Sequence, residues 1–347
     1  MKTYLMKKAM IETAVDQGLK LIEEDPKRSL RRLADLGKQF SKNRFQDMLF
    51  SIIQELLNNE DSAYYDMMER LLENADHDAL KKFGINFGYM SWTYGASEIR
   101  KKEPELGCCI PWTILLRYDP SREDGLTIDR LTKLFQEGQE LGMYAWLIRE
   151  EDNSSDSYDL LELLERYKEC AFVWIKANGR LTAAQVQMLK LCKGTVVSLP
   201  LDDPETFLTV ALLREQKIPF ALHREYSTDE FNTQSDEWHS FMDNVLSSQT
   251  ALIFLIARDD ATYSAGQLAY DSRLTQDNPF IVMDYYADAL RLSKILSEHP
   301  YLLEIGADGC MKLPDAHDGD PFPFDLPLSK ALQQVMPAFP AAPAGDS

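Results

Sequence analysis

Apolar residues recur at helical spacing from about residue 4 to residue 104, as in Phe45-Met48-Leu49-Ile52-Ile53-Leu56-Leu57 and Tyr64-Met67-Met68-Leu71-Leu72. Punctuation divides this block into several helices. Asp25-Pro26 predicts one start, Asn58-Asn59 one stop, and Asp61 or Ser62 the next cap. Such stripes serve as a layer packed on a neighbouring core or as a protein-binding platform, and the packing role is the commoner one.

From residue 110 the period changes. Short β-branched and aromatic runs, Thr113 to Tyr118, Met143 to Ile148, Ala171 to Lys176, Thr195 to Leu199, Pro219 to His223 and Ala251 to Ile256, alternate with amphipathic helices. Thr127 is placed to cap the first of these helices and Gly142 to close it. Thr182 with Gln185 spells a capping box, and Asp203-Pro204 spells a cap followed by proline at the first helical position. Six strand–helix units imply parallel strands joined by right-handed crossovers. A partial barrel and an open doubly wound sheet both satisfy that pattern.

A further apolar run, Phe280 to Met283, precedes a helix over Ala287 to Leu296 and a hairpin turning at Asp308-Gly309. Beyond Leu313 the chain is rich in Pro, Asp and Ala, which predicts an extended or disordered tail. The organisation is thus a helical region over 1–105, an α/β region over 106–312 and a tail over 313–347.

Charge narrows the classes of partner. Lys and Arg total 37 against 56 Asp and Glu, a net charge of -19, so the average surface repels nucleic-acid phosphates and anionic lipid. No apolar run approaches the roughly 18 residues that span a bilayer, and the start lacks the apolar core of a signal peptide, so neither nucleic acid nor membrane is an expected partner and a cytoplasmic location is expected. Cys108, Cys109, Cys170, Cys192 and Cys310 are odd in number and nowhere spaced C-x-x-C, which argues for reduced thiols and against a disulfide framework, a zinc site or a cluster. Tryptophans 112, 146 and 174 fall on or beside consecutive strands, as core residues or as part of an interface.

One stretch carries a resemblance. Gly107-Cys108, Ile110-Pro111-Trp112, Ile114-Leu115 and Asp119-Pro120-Ser121 resemble the entry strand of a radical S-adenosylmethionine (SAM) enzyme. The likeness extends to Ala79 through Phe87, Glu137 through Tyr144, Cys170-Ala171-Phe172-Val173 running to Asn178-Gly179, Met283-Asp284-Tyr285-Tyr286 and Gly306-Ala307-Asp308-Gly309. It spans residues 79 to 312 and implies an α/β fold, a partial (β/α)6 TIM-like barrel of parallel strands preceded by an all-helical region. The departures fall where that superfamily's chemistry would sit. The loop bearing C-x-x-x-C-x-x-C is absent, since Ser121-Arg122-Glu123-Asp124-Gly125 leads straight to a helix. A Gly-Gly-Glu-Pro-like segment is replaced by Leu147-Ile148-Arg149-Glu150-Glu151-Asp152, without the glycines that let backbone approach a ligand closely. Cysteines beyond the hairpin give way to Leu313-Pro314-Asp315. The resemblance therefore implies a degenerate member with no iron–sulfur cluster and with SAM binding in doubt.

In parallel α/β folds ligands bind at the carboxyl ends of the strands. That rule gives Asp119, Arg149, Glu150, Lys176, His223, Arg224 and Asp284 as a candidate ligand site, with Glu151, Asn178, Glu225, Arg258 and Asp259 beside them. The plain alternative is that such loops are charged because they are exposed, and that these residues pair with one another. His77, His239, His299 and His317 form no metal-binding spacing, and neither a phosphate-binding loop nor G-x-S-x-G occurs. No catalytic or metal-binding residue is assigned. The leading expectation is a catalytically silent protein that binds an active radical SAM enzyme, another pathway protein or a second copy of itself. Its rival is a binder of a small polar ligand, or a non-radical enzyme, using the barrel mouth. A third reading is a structural module recruiting a basic partner through its helices.

Overall fold

The computed structural model describes residues 3–22, 25–39, 50–51, 53–151, 157–227, 236–258, 265–296, 301–313, 320–323 and 325–339. The N-terminal block contains α1 (Thr3–Ile22), α2 (Pro26–Gln39), α3 (Tyr64–Asn74), α4 (His77–Gly84), a π-helix (Ile85–Gly95) and α5 (Ala96–Leu106). Asp25 starts α2 as its sequence predicts, its Oδ1 accepting from the Arg28 N–H at 3.0 Å. Ser62 Oγ accepts from the Tyr64 N–H at 3.2 Å at the entrance of α3. Of the predicted apolar stripe, Phe45, Met48, Leu49 and Ile52 lie outside the described residues.

The α/β elements follow in order: β1 (Ile114–Tyr118), α6 (Ile128–Leu141), β2 (Ala145–Glu150), α7 (Tyr158–Arg166), β3 (Ala171–Ile175), α8 (Ala183–Leu191), β4 (Thr195–Pro200) and α9 (Thr206–Glu215). Then come β5 (Phe220–Tyr226), α10 (Asp236–Ser248), β6 (Leu252–Ala257), α11 (Ala265–Thr275), β7 (Ile281–Asp284) and α12 (Tyr285–Leu296). The chain closes with β8 (Leu303–Ile305), β9 (Cys310–Lys312), β10 (Asp320–Pro321) and α13 (Leu328–Val335).

Local signals account for most of these boundaries. Thr127 caps α6, Gly142 ends it at φ 104°, and Thr182 with Gln185 completes a capping box on α8. The predicted cap at Asp203 differs. Its two carboxylate oxygens accept from Gly179 N at 2.9 Å and Glu205 N at 2.8 Å, which makes a turn first, so α9 begins at Thr206. The hairpin between β8 and β9 turns at Asp308-Gly309 as expected, with Gly309 at φ 77° and its N–H donating to Gly306 O at 2.9 Å.

The largest departure from expectation is in the C-terminal segment. Residues 328–335, read from sequence as extended or disordered, form α13, because Leu328, Ala331 and Leu332 recur at helical spacing and are all fully buried. Beyond it Pro337 O accepts from Cys109 N at 3.0 Å and Phe339 N donates to Gly107 O at 3.0 Å. Pro340 to Ser347 and Pro314 to His317 lie outside the described residues.

The chain divides into two compact units that interleave in sequence. The first comprises Met1–Ile85 and Asn178–Asp288, and its strands β4, β5, β6 and β7 pair in that order, all parallel. The second comprises Asn86–Ala177 and Ala289–Ser347. In it β1 lies between β2 and β8, parallel to both, with β3 outside β2, while β9 and β10 add antiparallel pairings beyond β8. Trp112, Trp146 and Trp174 are all buried in this second unit, which decides for the core role. Among the described residues no helix is long and apolar enough to cross a membrane.

Candidate functional site

Strand register sorts the second unit's candidate residues onto two faces. Trp146 and Phe172 are directly paired on β2 and β3, and both stack on Phe135 of α6, at ring-centroid distances of 4.8 and 5.3 Å. A Cβ on Gly138 of α6 would meet the Trp146 ring at 2.5 Å, so the helix sits directly on this face. Alternation puts Ile148, Trp174, Tyr118 and Glu150 on the same helix-covered side. Leu115, Arg117, Leu147, Arg149 and Glu304 share the other side.

On the covered face Lys176 and Glu150 form a closed pair. Lys176 Nζ donates to Glu150 Oε2 at 2.7 Å, with side chains only 2% and 0% exposed. The same oxygen accepts from Ala177 N at 3.2 Å, Ser157 Oγ donates to Oε1, and the ammonium lies 5.1 Å from the centroid of the Trp174 ring. Both carboxylate oxygens are thus engaged within the core. The neighbouring Tyr118 hydroxyl is pushed up to about 12 by burial, reinforced by the carboxylates of Glu150, Asp159 and Asp119. This constellation holds paired charge inside the protein.

The opposite face carries a line of charge that the sequence list largely missed. Arg117 donates to both oxygens of Glu151 at 3.0 and 2.9 Å, and Arg149 Nε lies 3.5 Å from Glu151 Oε1. Across β1, Arg117 reaches Glu304 at 3.9 Å, and Lys312 meets the same buried carboxylate at 3.2 Å. Of the candidates only Arg149 and its neighbour Glu151 belong to this line. Arg117 was legible as a charge inside the apolar run Ile114-Leu115-Leu116-Arg117-Tyr118, whereas Glu304 and Lys312 arrive through a pairing remote in sequence. Asp119 is turned onto its own loop, accepting from Ser121 N at 2.9 Å and Ser121 Oγ at 2.6 Å.

In the first unit the same test separates His223 from Arg224 and Asp284. Arg224 stacks over Phe241 of α10 at 5.5 Å and lies 3.5 Å from Asp202. Tyr226, two residues on, donates to Asp284 Oδ2 at 2.7 Å and accepts from Ala265 N at the start of α11. That side is therefore helix-covered. Asp284 also accepts from Ala287 N at 2.8 Å, capping α12, while its own N–H donates to Asp288, which Arg273 clamps at 2.8 and 2.7 Å. Burial raises the Asp284 carboxyl above its usual range, opposed by the bonds from Ala287 and Tyr226 and helped by Asp288. His223 alone of the three lies on the other side, with Nδ1 3.1 Å from Ser198 Oγ and both residues buried. Asn178 caps a turn, accepting from Arg180 N, and Glu225 faces Arg258 at 3.8 Å. Asp259 lies outside the described residues.

Cysteine chemistry is subdued. Cys108, Cys109, Cys170 and Cys192 are buried. Burial pushes the Cys170 thiol up to about 12 and the Cys109 thiol up to about 11, the latter aided by Glu103. Among the described residues no group of three or more His, Cys, Asp or Glu side chains is arranged to hold a metal ion.

The connection from β1 to α6, residues 119 to 127, contains no cysteine. Arg122 clamps Asp124 at 3.0 and 2.6 Å, and Arg130 donates to the carbonyls of Glu123 and Gly125 at 3.1 and 2.6 Å. Gly125 is pressed against the β8–β9 turn, where any side chain would run into the Ala307 carbonyl oxygen.

No family model matches the chain, and no curated protein does. Solved structures do. SuiB of Streptococcus suis bound to S-adenosylmethionine is 11% identical with a TM-score of 0.51, over 69% of this chain and 68% of that one. SuiB bound to the precursor peptide SuiA is 12% identical with a TM-score of 0.50, over 69% of each chain. The likeness is one of fold: a parallel-stranded partial β/α barrel with helices before it.

Proposed function

We propose that this chain is a radical-SAM-like scaffold without cluster chemistry that acts by binding, as partner or regulator of another protein. The observation that carries the reading is the tight connection after β1. It offers guanidiniums, carboxylates and hydroxyls but no thiolate, and it is packed against the β8–β9 turn at Gly125. A thiolate-held iron–sulfur cluster does not fit that donor set. Nor does the end of β2 suit SAM, because Glu150 is committed to Lys176 and Glu151 to Arg117. One SuiB structure holds a precursor peptide, which supports peptide or protein binding as the use to which such a scaffold is put.

Anaerobic reconstitution with iron and sulfide, followed by metal analysis and visible absorbance, tests this reading. The expected result is no stoichiometric iron. Stable uptake of about four irons per chain, with cluster absorbance, overturns it.

The line from Arg149 through Glu151, Arg117 and Glu304 to Lys312 favours a second reading, a site for a small polar ligand on the face opposite the helices. A rise in melting temperature with small carboxylates or amino acids, lost in Arg149→Ala, would support it.

A further inference from the structure

Helix α9 is apolar on both sides. Its inner face buries Thr206, Thr209, Val210 and Leu213, yet its outer face presents Phe207, Leu208, Ala211 and Leu212, all exposed, Leu208 by 78%. A helix apolar all round belongs in a core or an interface, and this one has a bare side. The outer stripe has charged ends. Glu205, Leu208, Leu212 and Glu215 follow at spacings that keep them on one face, so two carboxylates about 15 Å apart along the helix bracket the apolar pair Leu208 and Leu212. Glu205 faces the exposed Arg180 at 3.8 Å. Glu215 lies in the last turn, where a negative charge opposes the helix dipole, so the helix gains nothing by it.

We propose that the outer face of α9 docks a basic amphipathic segment of a partner protein, its leucine-like side chains over Leu208 and Leu212 and its lysines or arginines against Glu205 and Glu215. Charge complementarity selects this occupant: Glu215 stands exposed at one end of the stripe, Glu205 at the other shares its charge with Arg180, and the net charge of -19 draws a cationic segment towards the chain. A second copy of the same helix is disfavoured, since antiparallel pairing would set Glu205 of one copy against Glu215 of the other. The inference deepens the binding reading and rests on it, but the iron experiment tests that reading alone and the titration below tests this face alone.

The probe is a fluorescently labelled amphipathic helix of leucine and lysine, titrated with the full chain and followed by anisotropy, beside a control helix with glutamate for lysine. Saturable binding of the lysine helix only is expected. Leu208→Asp should weaken it by at least about tenfold and Glu215→Lys by about threefold. Leu208→Asp adds negative charge, so mere attraction between a cationic peptide and an acidic chain predicts tighter binding instead. Unchanged or tighter binding by Leu208→Asp overturns the proposal. So does self-association of the native chain in sedimentation velocity that Leu208→Asp abolishes, because a second copy then covers the face.

Discussion

Glu150 and Lys176 hold opposite charges 2.7 Å apart beneath helices, and the cost of breaking such a pair exceeds the gain from having made it. Lys176→Ala leaves Glu150 charged and without its counter-charge, although Ser157 and Ala177 still donate to it, and should cost about 3–5 kcal/mol in urea unfolding. Replacing both partners by apolar residues, Lys176→Met with Glu150→Leu, should cost markedly less. Equal losses in the single and double variants would count against a buried pair. Asp284 makes a second case, with a sign that can be worked out. Burial raises its carboxyl, so the folded chain keeps a proton at pH values where the unfolded chain, near 3.9, has lost it. Stability from this group is therefore full below about pH 4 and declines as pH rises through the folded value. Asp284→Asn keeps the cap on Ala287 and removes the titration. Its stability relative to the native chain should climb with pH across that window, and parallel urea midpoints from pH 4 to 8 would refute the assignment.

At the scale of elements, α13 shows how proline-rich composition misleads. Pro327 stands before its first residue and Pro337 beyond its last turn, so these prolines bound a helix instead of preventing one. The helix is fastened at both ends: the Leu328 N–H donates to Glu137 of α6, and Gln333 donates to Leu106 O at 2.6 Å. Leu332, fully buried, should then cost about 2–5 kcal/mol when cut to alanine, whereas an extended tail would register almost nothing. Denaturant unfolding distinguishes the two. The signal for the helix was present in Leu328, Ala331 and Leu332, but eight residues of periodicity carry little weight beside a run of Pro, Asp and Ala.

For the molecule as a whole, strands β1 to β6 and their helices could be placed from sequence because parallel β/α units announce themselves through alternating period and caps. The candidate site was legible only by position. Arg149 and Glu150 are adjacent on β2, yet one faces the line of charge with Glu151 and the other the helices. Strand parity is written in the chain, but which parity faces helices is decided by Phe135 of α6 against Trp146, a contact between separate elements. Glu304 reached Arg117 for a similar reason, through a pairing of strands almost two hundred residues apart. That separation has a consequence for biosynthesis. The second unit is made of Asn86–Ala177 and Ala289–Ser347, with 111 residues of the other unit synthesised between them. While that intervening stretch is emerging from the ribosome, β1 has β2 beside it but an unpaired opposite edge, and Cys108, Cys109 and the strand behind them await Pro337 and Phe339. The nascent chain thus carries an open β-edge from the synthesis of β1 until β8 is made, a period of exposure to misassociation that closes once β8, β9 and α13 are in place.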